Sequence, residues 1–394
     1  MRSQTTEERV MSGDKRRIEG RAPGITTRAL AIAATAILAQ TGATGCSSDP
    51  ETGGITSAGS NTGGAGGAGG GAGGSDTGGA GGAGGAGGAG GAGGSGGTGG
   101  MGGVADPGPN VDASDPKLYE MTFTAKDADA EATQALGTQL GHLNTTAEPR
   151  GILVVYLHGA GAPSTCGSKE HGKMLAKLGF HVMSPCYLSD YGVGNCKNDI
   201  EGCRLEAFEG VDHSAVIDVK PPDSAELRIT KGLMYLQEQN PQGDWTYFID
   251  GDKPKWSKII VSGISHGASS SAVIGKNRLV HRVVSLSGPL DSGQAWLTKA
   301  SITPIDRFFG FTHTGDGQHQ GHLQSFEDMK LVGEPVVVDG ASPPYSGSHR
   351  LVTSAPTGDG HGSTQAGGAS PKDGSGAYVF LPVWKYMYVD EITP

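Results

Sequence analysis

The sequence has no surplus of positive charge, no C-x-x-C pair and no apolar run long enough to cross a bilayer, and each absence removes a class of function. Lys and Arg number 30 against 40 Asp and Glu, a net charge of −10. Such a surface repels nucleic acid and anionic lipid, so neither is expected as a partner. Five cysteines without C-x-x-C spacing do not make a zinc site. The apolar run "ALAIAATAILA", Ala29 to Ala39, is too short for a membrane span. The glycine-rich stretch from Gly53 to Gly103 lacks the proline and the strict Gly-X-Y period that a collagen helix requires.

What the chain has in excess is glycine, 70 of 394 residues. In GGA-type triplets there is too little side chain to offset the entropy of ordering, so residues 46–105 are expected to be a flexible linker. Ahead of it, Arg16, Arg17, Arg21 and Arg28 precede the short apolar run, the pattern of an export signal over residues 1–45. Small residues then lead into Cys46 as "ATGC", which resembles a bacterial lipoprotein signal. The resemblance implies that Cys46 is lipidated and tethers the mature chain in the cell envelope, with no other membrane contact. Ala43 stands where such signals usually carry Leu, and twin-arginine export and an ordinary cleaved signal stay open as alternatives. Loss of residues 1–45, with seven basic and four acidic side chains, moves the charge from −10 to −13. Export agrees with the remaining cysteines, Cys166, Cys186, Cys196 and Cys203, an even set suited to disulfides in an oxidising compartment. Four cysteines allow three pairings, of which Cys166–Cys186 with Cys196–Cys203 is the one expected.

Residues 106–394 form the folded part. Strand-like runs recur at "LYEMTFT", "TQLGHLNT", "GILVVYLHGAGA", "FHVMSP", "SKIIVSG", "HRVVSLSG", "IDRFFGFTH" and "EPVVVDG". Amphipathic helical patterns lie between several of them, at Lys169 to Gly179 and Ser224 to Asn240, and a last helix is expected over Ala377 to Val389. The first two runs suit an antiparallel opening. The alternation that follows predicts an α/β fold with a mostly parallel central sheet and helices on both faces. From Cys186 to about Pro222 the periodicity fails, and this segment is expected to be a disulfide-stapled cap with Tyr187, Tyr191 and Phe208 as candidate pocket wall or plain packing residues.

Two serines fit G-x-S-x-G. Ser95 sits among the glycine triplets, with no strand before it and no helix after it. Ser265, in Gly263-Ile264-Ser265-His266-Gly267, follows an apolar strand and precedes a small-residue helix. That is the strand–turn–helix a strained nucleophile elbow needs, with glycines where the turn closes on its neighbours.

A serine nucleophile needs a base, and the base needs an orienting acid. His361, in "TGDGHGST" ahead of the last helix, is the expected base, with His349 as runner-up. Asp316, in "HTGDGQH" past the "RFFGFTH" strand, is the expected acid. Asp291 is the alternative, and Asp359 is read as a loop-structuring residue. "HGAG" at His158 to Gly161 supplies an oxyanion loop, with the backbone N–H of Ala160 and of His266 as donors and His158 as a loop-fixing side chain.

Taken together, residues from about 150 onward resemble an exported bacterial α/β-hydrolase of the esterase and lipase type: oxyanion loop, elbow, acid and histidine in that order. Ala160 in place of a third glycine departs mildly from the pattern. The resemblance implies a monomeric serine hydrolase acting through an acyl-enzyme on a small-molecule, lipid or polymer ester, without metal or cofactor. Peptidase or acyltransferase chemistry uses the same groups. The rival class is a surface-tethered, non-catalytic binding lipoprotein on the same fold.

Overall fold

Leu153–Leu157 is a run of five residues, all buried, with no polar alternation, and a strand of that kind belongs in the middle of a sheet covered on both faces. The computed structural model, which describes residues 106–134 and 136–391, bears this out. The signal, the glycine-rich linker and Cys46 lie outside the described residues.

The elements in chain order are β1 (Leu118–Thr124), α1 (Ala125–Ala128), β2 (Thr138–Asn144), β3 (Leu153–Leu157), α2 (Lys169–Lys177), β4 (His181–Ser184), α3 (Ile200–Glu209) and α4 (Ala225–Gln239). A two-strand ribbon follows, β5 (Ile249–Asp250) with β6 (Lys253–Pro254). Then come β7 (Ile259–Ile264), α5 (His266–Asn277), β8 (Arg282–Leu286), β9 (Phe308–His313), α6 (His319–Asp328), β10 (Val336–Val337), β11 (Arg350–Thr353) and α7 (Leu381–Tyr388).

Nine strands form one sheet in the order β1-β2-β4-β3-β7-β8-β9-β11-β10. β1 and β2 pair antiparallel, from Leu118 opposite Asn144 to Thr124 opposite Thr138, and β2 is antiparallel to β4. Every later pairing in the sheet is parallel. Alternate side chains of the central strands feed two cores. Leu153, Val155, Leu157, Ile259 and Val261 pack under α3, α4 and α5. Val154, Tyr156, Ile260 and Ile264 pack under α2 and α7. Each fully buried Leu, Ile or Val side chain is worth about 1.5–3 kcal/mol, so burial at the sheet centre contributes strongly to stability. Ser168 caps α2 and Ser224 caps α4 by accepting backbone N–H bonds from His171 and Leu227.

The segment expected to lack secondary structure is ordered differently. It crosses the carboxyl edge of the sheet at Tyr187 to Tyr191, then forms α3, which packs in the helical layer against α4 and α5. This helix shows no amphipathic stripe because nearly all of it is inside: Ile200, Cys203, Arg204, Glu206, Ala207 and Phe208 are all buried. Glu206 accepts backbone N–H bonds from His213, Ser214 and Val219, which satisfies its buried charge. Phe208 lies against Trp256, with ring centroids 5.4 Å apart. Both disulfides pair as expected, Cys166–Cys186 and Cys196–Cys203.

Candidate active site

Ser265 occupies the turn between β7 and α5 with φ 58° and ψ −122°, a strained region for a residue with a Cβ. Its N–H donates to the Leu286 carbonyl at the end of β8. The flanking glycines are required by contact. A Cβ on Gly263 would lie 2.5 Å from the Gly267 carbonyl carbon, and one on Gly267 would lie 2.2 Å from the Leu157 oxygen. The elbow thus closes against β3 only because both side chains are missing. The Ser265 hydroxyl is not spent on capping its own helix, and it stands at the positive end of a twelve-residue helix.

The expected base and acid meet. His361 Nδ1–H donates to Asp316 Oδ2 at 2.7 Å, joining two loops 45 residues apart. Gln318 N–H donates to the other carboxylate oxygen at 2.9 Å. Burial opposes ionisation of Asp316, but these two bonds and the neighbouring histidines outweigh it and hold the carboxyl below its ordinary range. The turn carrying Asp316 is braced by His313, which accepts from Gly315 N–H and donates to the Ala355 carbonyl. The loop carrying His361 sits tightly on that turn: a Cβ on Gly360 would come within 2.7 Å of the Gly315 carbonyl carbon. Ser287, just past β8, donates through Oγ to the His361 carbonyl at 2.7 Å. Leu286, the residue before it, holds the Ser265 amide, so the histidine loop and the elbow share one anchor. No hydrogen bond joins Ser265 Oγ to His361 among the described residues; such bonds are commonly long before substrate arrives.

The alternatives are engaged elsewhere. His349 stacks on Phe309 with centroids 3.8 Å apart and pairs with the Phe308 carbonyl. Asp291 is buried in a two-pronged ion pair with Arg204, both contacts 2.8 Å, and accepts from Trp296 Nε1. Asp359 accepts from Gly362 N–H and shapes the histidine loop.

On the other side of Ser265, neither the Ala160 N–H nor the His266 N–H is taken up by another carbonyl or side chain among the described residues. The loop holding Ala160 is strapped from outside. Ser189 Oγ bonds the carbonyls of Gly159 and Gly161 at 3.1 and 2.9 Å, and Gly161 N–H returns to the Ser189 carbonyl. Tyr187 OH donates to the His158 carbonyl at 2.8 Å. The Cys166–Cys186 bridge closes this strap, since Cys166 follows the loop and Cys186 directly precedes Tyr187. His158 bonds the Gly159 carbonyl through Nδ1, and burial lowers its pKa to about 4, so it is a neutral loop-fixing ring. Because the Tyr187 proton goes to His158, His266 Nδ1, 3.1 Å away, must be the donor to Tyr187. Burial first, then Arg204 and His158, keep the His266 ring neutral. A cavity of about 170 Å³ opens beside this loop, lined by Tyr156, Gly159, Ala160, Thr165, Ile264 and Gln365.

Three residues at the site escaped the sequence reading. Arg204 bonds the His266 carbonyl and Ser270 Oγ besides Asp291, tying α3 to the first turn of α5. Ser189 and Ser287 act through single hydroxyls. None belongs to a spacing motif, and Arg204 lies 87 residues from Asp291, so no local signal marked them.

A central sheet entered by an antiparallel pair, a serine elbow after the fifth sheet strand in chain order, and the order serine, aspartate, histidine make this the α/β-hydrolase fold. No family model matches the chain and no curated protein matches it. Solved structures do. A mutant of the feruloyl esterase module from Clostridium thermocellum, complexed with sinapinate, is 13% identical over 72% of this chain and 89% of its own, with a TM-score of 0.34. Thermogutta terrifontis esterase 2 is 14% identical over 63% and 86%, TM-score 0.31. Pyrococcus horikoshii acylaminoacyl peptidase is 13% identical over 60% of this chain and 37% of its own, TM-score 0.29. At such distances any functional reading has to come from the geometry of the site.

Proposed function

We propose that this chain is a serine hydrolase of carboxylic esters. Ser265 Oγ attacks the ester carbonyl carbon while His361 Nε2 takes the hydroxyl proton. Asp316 holds the opposite N–H and stabilises the imidazolium that forms. The carbonyl oxygen, now negative, is received by the N–H groups of Ala160 and His266. His361 returns the proton to the leaving alcohol oxygen, leaving the acyl group on Ser265. Water, deprotonated by the same histidine, then releases the acid. The observation that carries the reading is the 2.7 Å His361–Asp316 bond, formed by two distant loops and seated through Ser287 beside the strained serine.

Labelling by a fluorophosphonate probe tests it. The parent chain takes the label and turns over short-chain esters, and Ser265→Ala does neither, whereas Ser95→Ala does both. Full labelling of Ser265→Ala ends the nucleophile assignment, and an unlabelled but folded parent favours a binding lipoprotein on this fold. A matched panel of esters and amides separates esterase from peptidase.

The two disulfides support an exported protein. The proposal extends to tethering in the cell envelope through lipid on Cys46. Cys46→Ser then moves the chain from the membrane to the soluble fraction, and identical fractionation of both proteins rules the anchor out.

A further inference from the structure

A second cavity, of about 150 Å³, lies on the acid side of the site, lined by Leu290, Ser292, Gln318, Gly321 and His322. Ser292 and Gln318 are exposed and form its mouth, and His322 is fully buried at its base. The ring of His322 has one nitrogen committed: Nδ1 lies 2.8 Å from Thr312 Oγ1 and 3.9 Å from Asp316 Oδ2. The other, Nε2, is buried and has no partner among the described residues, a state that native proteins rarely leave uncorrected.

The protonation of that ring follows from its neighbours. Burial keeps it neutral, with its pKa lowered to about 4. The carboxylate of Asp316 lies on the Nδ1 side and favours the single ring proton there, where it is donated to Thr312 Oγ1, whose own proton then goes to His319 Nδ1 3.2 Å away. Nε2 therefore carries a lone pair and requires a hydrogen-bond donor.

The position of the cavity says what that donor belongs to. The His322 and His361 ring centroids are 6.5 Å apart. In the reaction above, His361 delivers its proton to the leaving oxygen, so the alcohol part of the ester lies on this side of Ser265. The oxyanion loop and its cavity lie on the other. We propose that the His322 cavity is a subsite for a hydroxyl group on the alcohol part of the ester, on the carbon next to the one bearing the ester oxygen. The substrate class is then partial esters of glycols, glycerol or sugars, and the inference rests on the hydrolase reading. The hydroxyl donates to His322 Nε2 and accepts from Gln318 or Ser292 at the mouth.

A matched pair of esters tests this: 2-hydroxyethyl butyrate against n-propyl butyrate, equal in length and differing in one hydroxyl. The parent protein favours the hydroxylated ester in kcat/KM by about five- to ten-fold, the value of one added hydrogen bond. His322→Phe brings that ratio close to unity, and His322→Gln, whose side-chain carbonyl accepts, restores part of it. A purely structural role for His322, acting through Asp316, lowers both substrates alike and leaves the ratio standing. A parent ratio near unity, or a ratio unmoved in His322→Phe, overturns the subsite. A second arm needs no turnover and no variant of His322. In Ser265→Ala protein with ¹⁵N-labelled histidine, 2-hydroxyethyl butyrate shifts the His322 Nε2 resonance and n-propyl butyrate does not; equal responses to both esters overturn the proposal. Fluorophosphonate labelling of the parent reports separately on the hydrolase reading.

Discussion

The two disulfides differ in what they hold, and their removal should separate stability from activity. Cys166–Cys186 spans 20 residues and Cys196–Cys203 spans 7. Loop-closure entropy assigns them about 3.3 and about 2.4 kcal/mol at 25 °C, a difference of less than about 1 kcal/mol. Their surroundings are unlike. Cys186 leads directly into Tyr187 and Ser189, whose hydroxyls bond the carbonyls of His158, Gly159 and Gly161. Cys196 and Cys203 sit at the entry to α3 and inside it, and no hydrogen bond joins either to the oxyanion loop among the described residues. Paired Cys→Ser variants at each bridge, unfolded in urea, should lose about 3 and about 2 kcal/mol respectively. Ester turnover should fall steeply only in the Cys166→Ser/Cys186→Ser protein, because a loosened Ala160 N–H forfeits part of the roughly 10²–10³-fold that one oxyanion donor supplies. The loss should appear in kcat, measured well below the unfolding transition. Equal losses of kcat in both variants, or full kcat without the Cys166–Cys186 bridge, would refute the strap.

Three further outcomes follow from particular contacts. Asp316→Asn keeps the fold but presents the wrong hydrogen-bonding pattern to His361, and kcat should drop by about 10⁴ while Ser265 still takes a fluorophosphonate slowly. Asp291→Ala leaves Arg204 charged, buried and without its counter-ion, which should cost about 3–5 kcal/mol in a denaturant titration; a loss under about 1 kcal/mol would show that the ion pair does not hold α3 against α5. His171 is wholly buried, accepts from Ala366 N–H at Nδ1 and pairs with Tyr388 at Nε2, and burial pulls its pKa down to about 3. The unfolded chain binds a proton below about pH 6.5 that the fold refuses, so this contribution is complete above that pH and is lost as pH falls toward 3. His171→Gln should flatten that limb of the stability curve, and an unchanged limb would rule His171 out.

Much of the site was legible because its signals are local. The Ser265 elbow announces itself in one stretch, an apolar strand, two glycines and a small-residue helix, and β7 and α5 lie where that stretch implies. Strands buried on both faces and helices with one apolar stripe were equally readable, β3 and α4 among them. What escaped is what burial or brevity hides. α3 is enclosed all round and shows no stripe. α6 turns His319, His322 and Ser325 inward along with Phe326, so its inner face reads as polar. β11 has four residues, and the strand-like run at Glu334 to Gly340 forms a strand only at Val336–Val337. Arg204, Ser189 and Ser287 act across the fold, and no spacing in the chain can show that.

The unequal edges of the sheet bear on how the chain would aggregate. β10 offers an approaching strand only Val336 and Val337 as ladder positions, and a template that short is a poor seed. The opposite edge, β1, presents seven residues, LYEMTFT. The charge near its middle, Glu120, is partly neutralised by Lys173 at 3.1 Å. Self-association by strand addition should therefore begin at Leu118–Thr124, an edge four strands removed from the elbow strand β7. Such fibrils would retain an intact Ser265 site, and a second charge on the exposed face of β1, at Thr122, is the change that should keep concentrated protein dispersed.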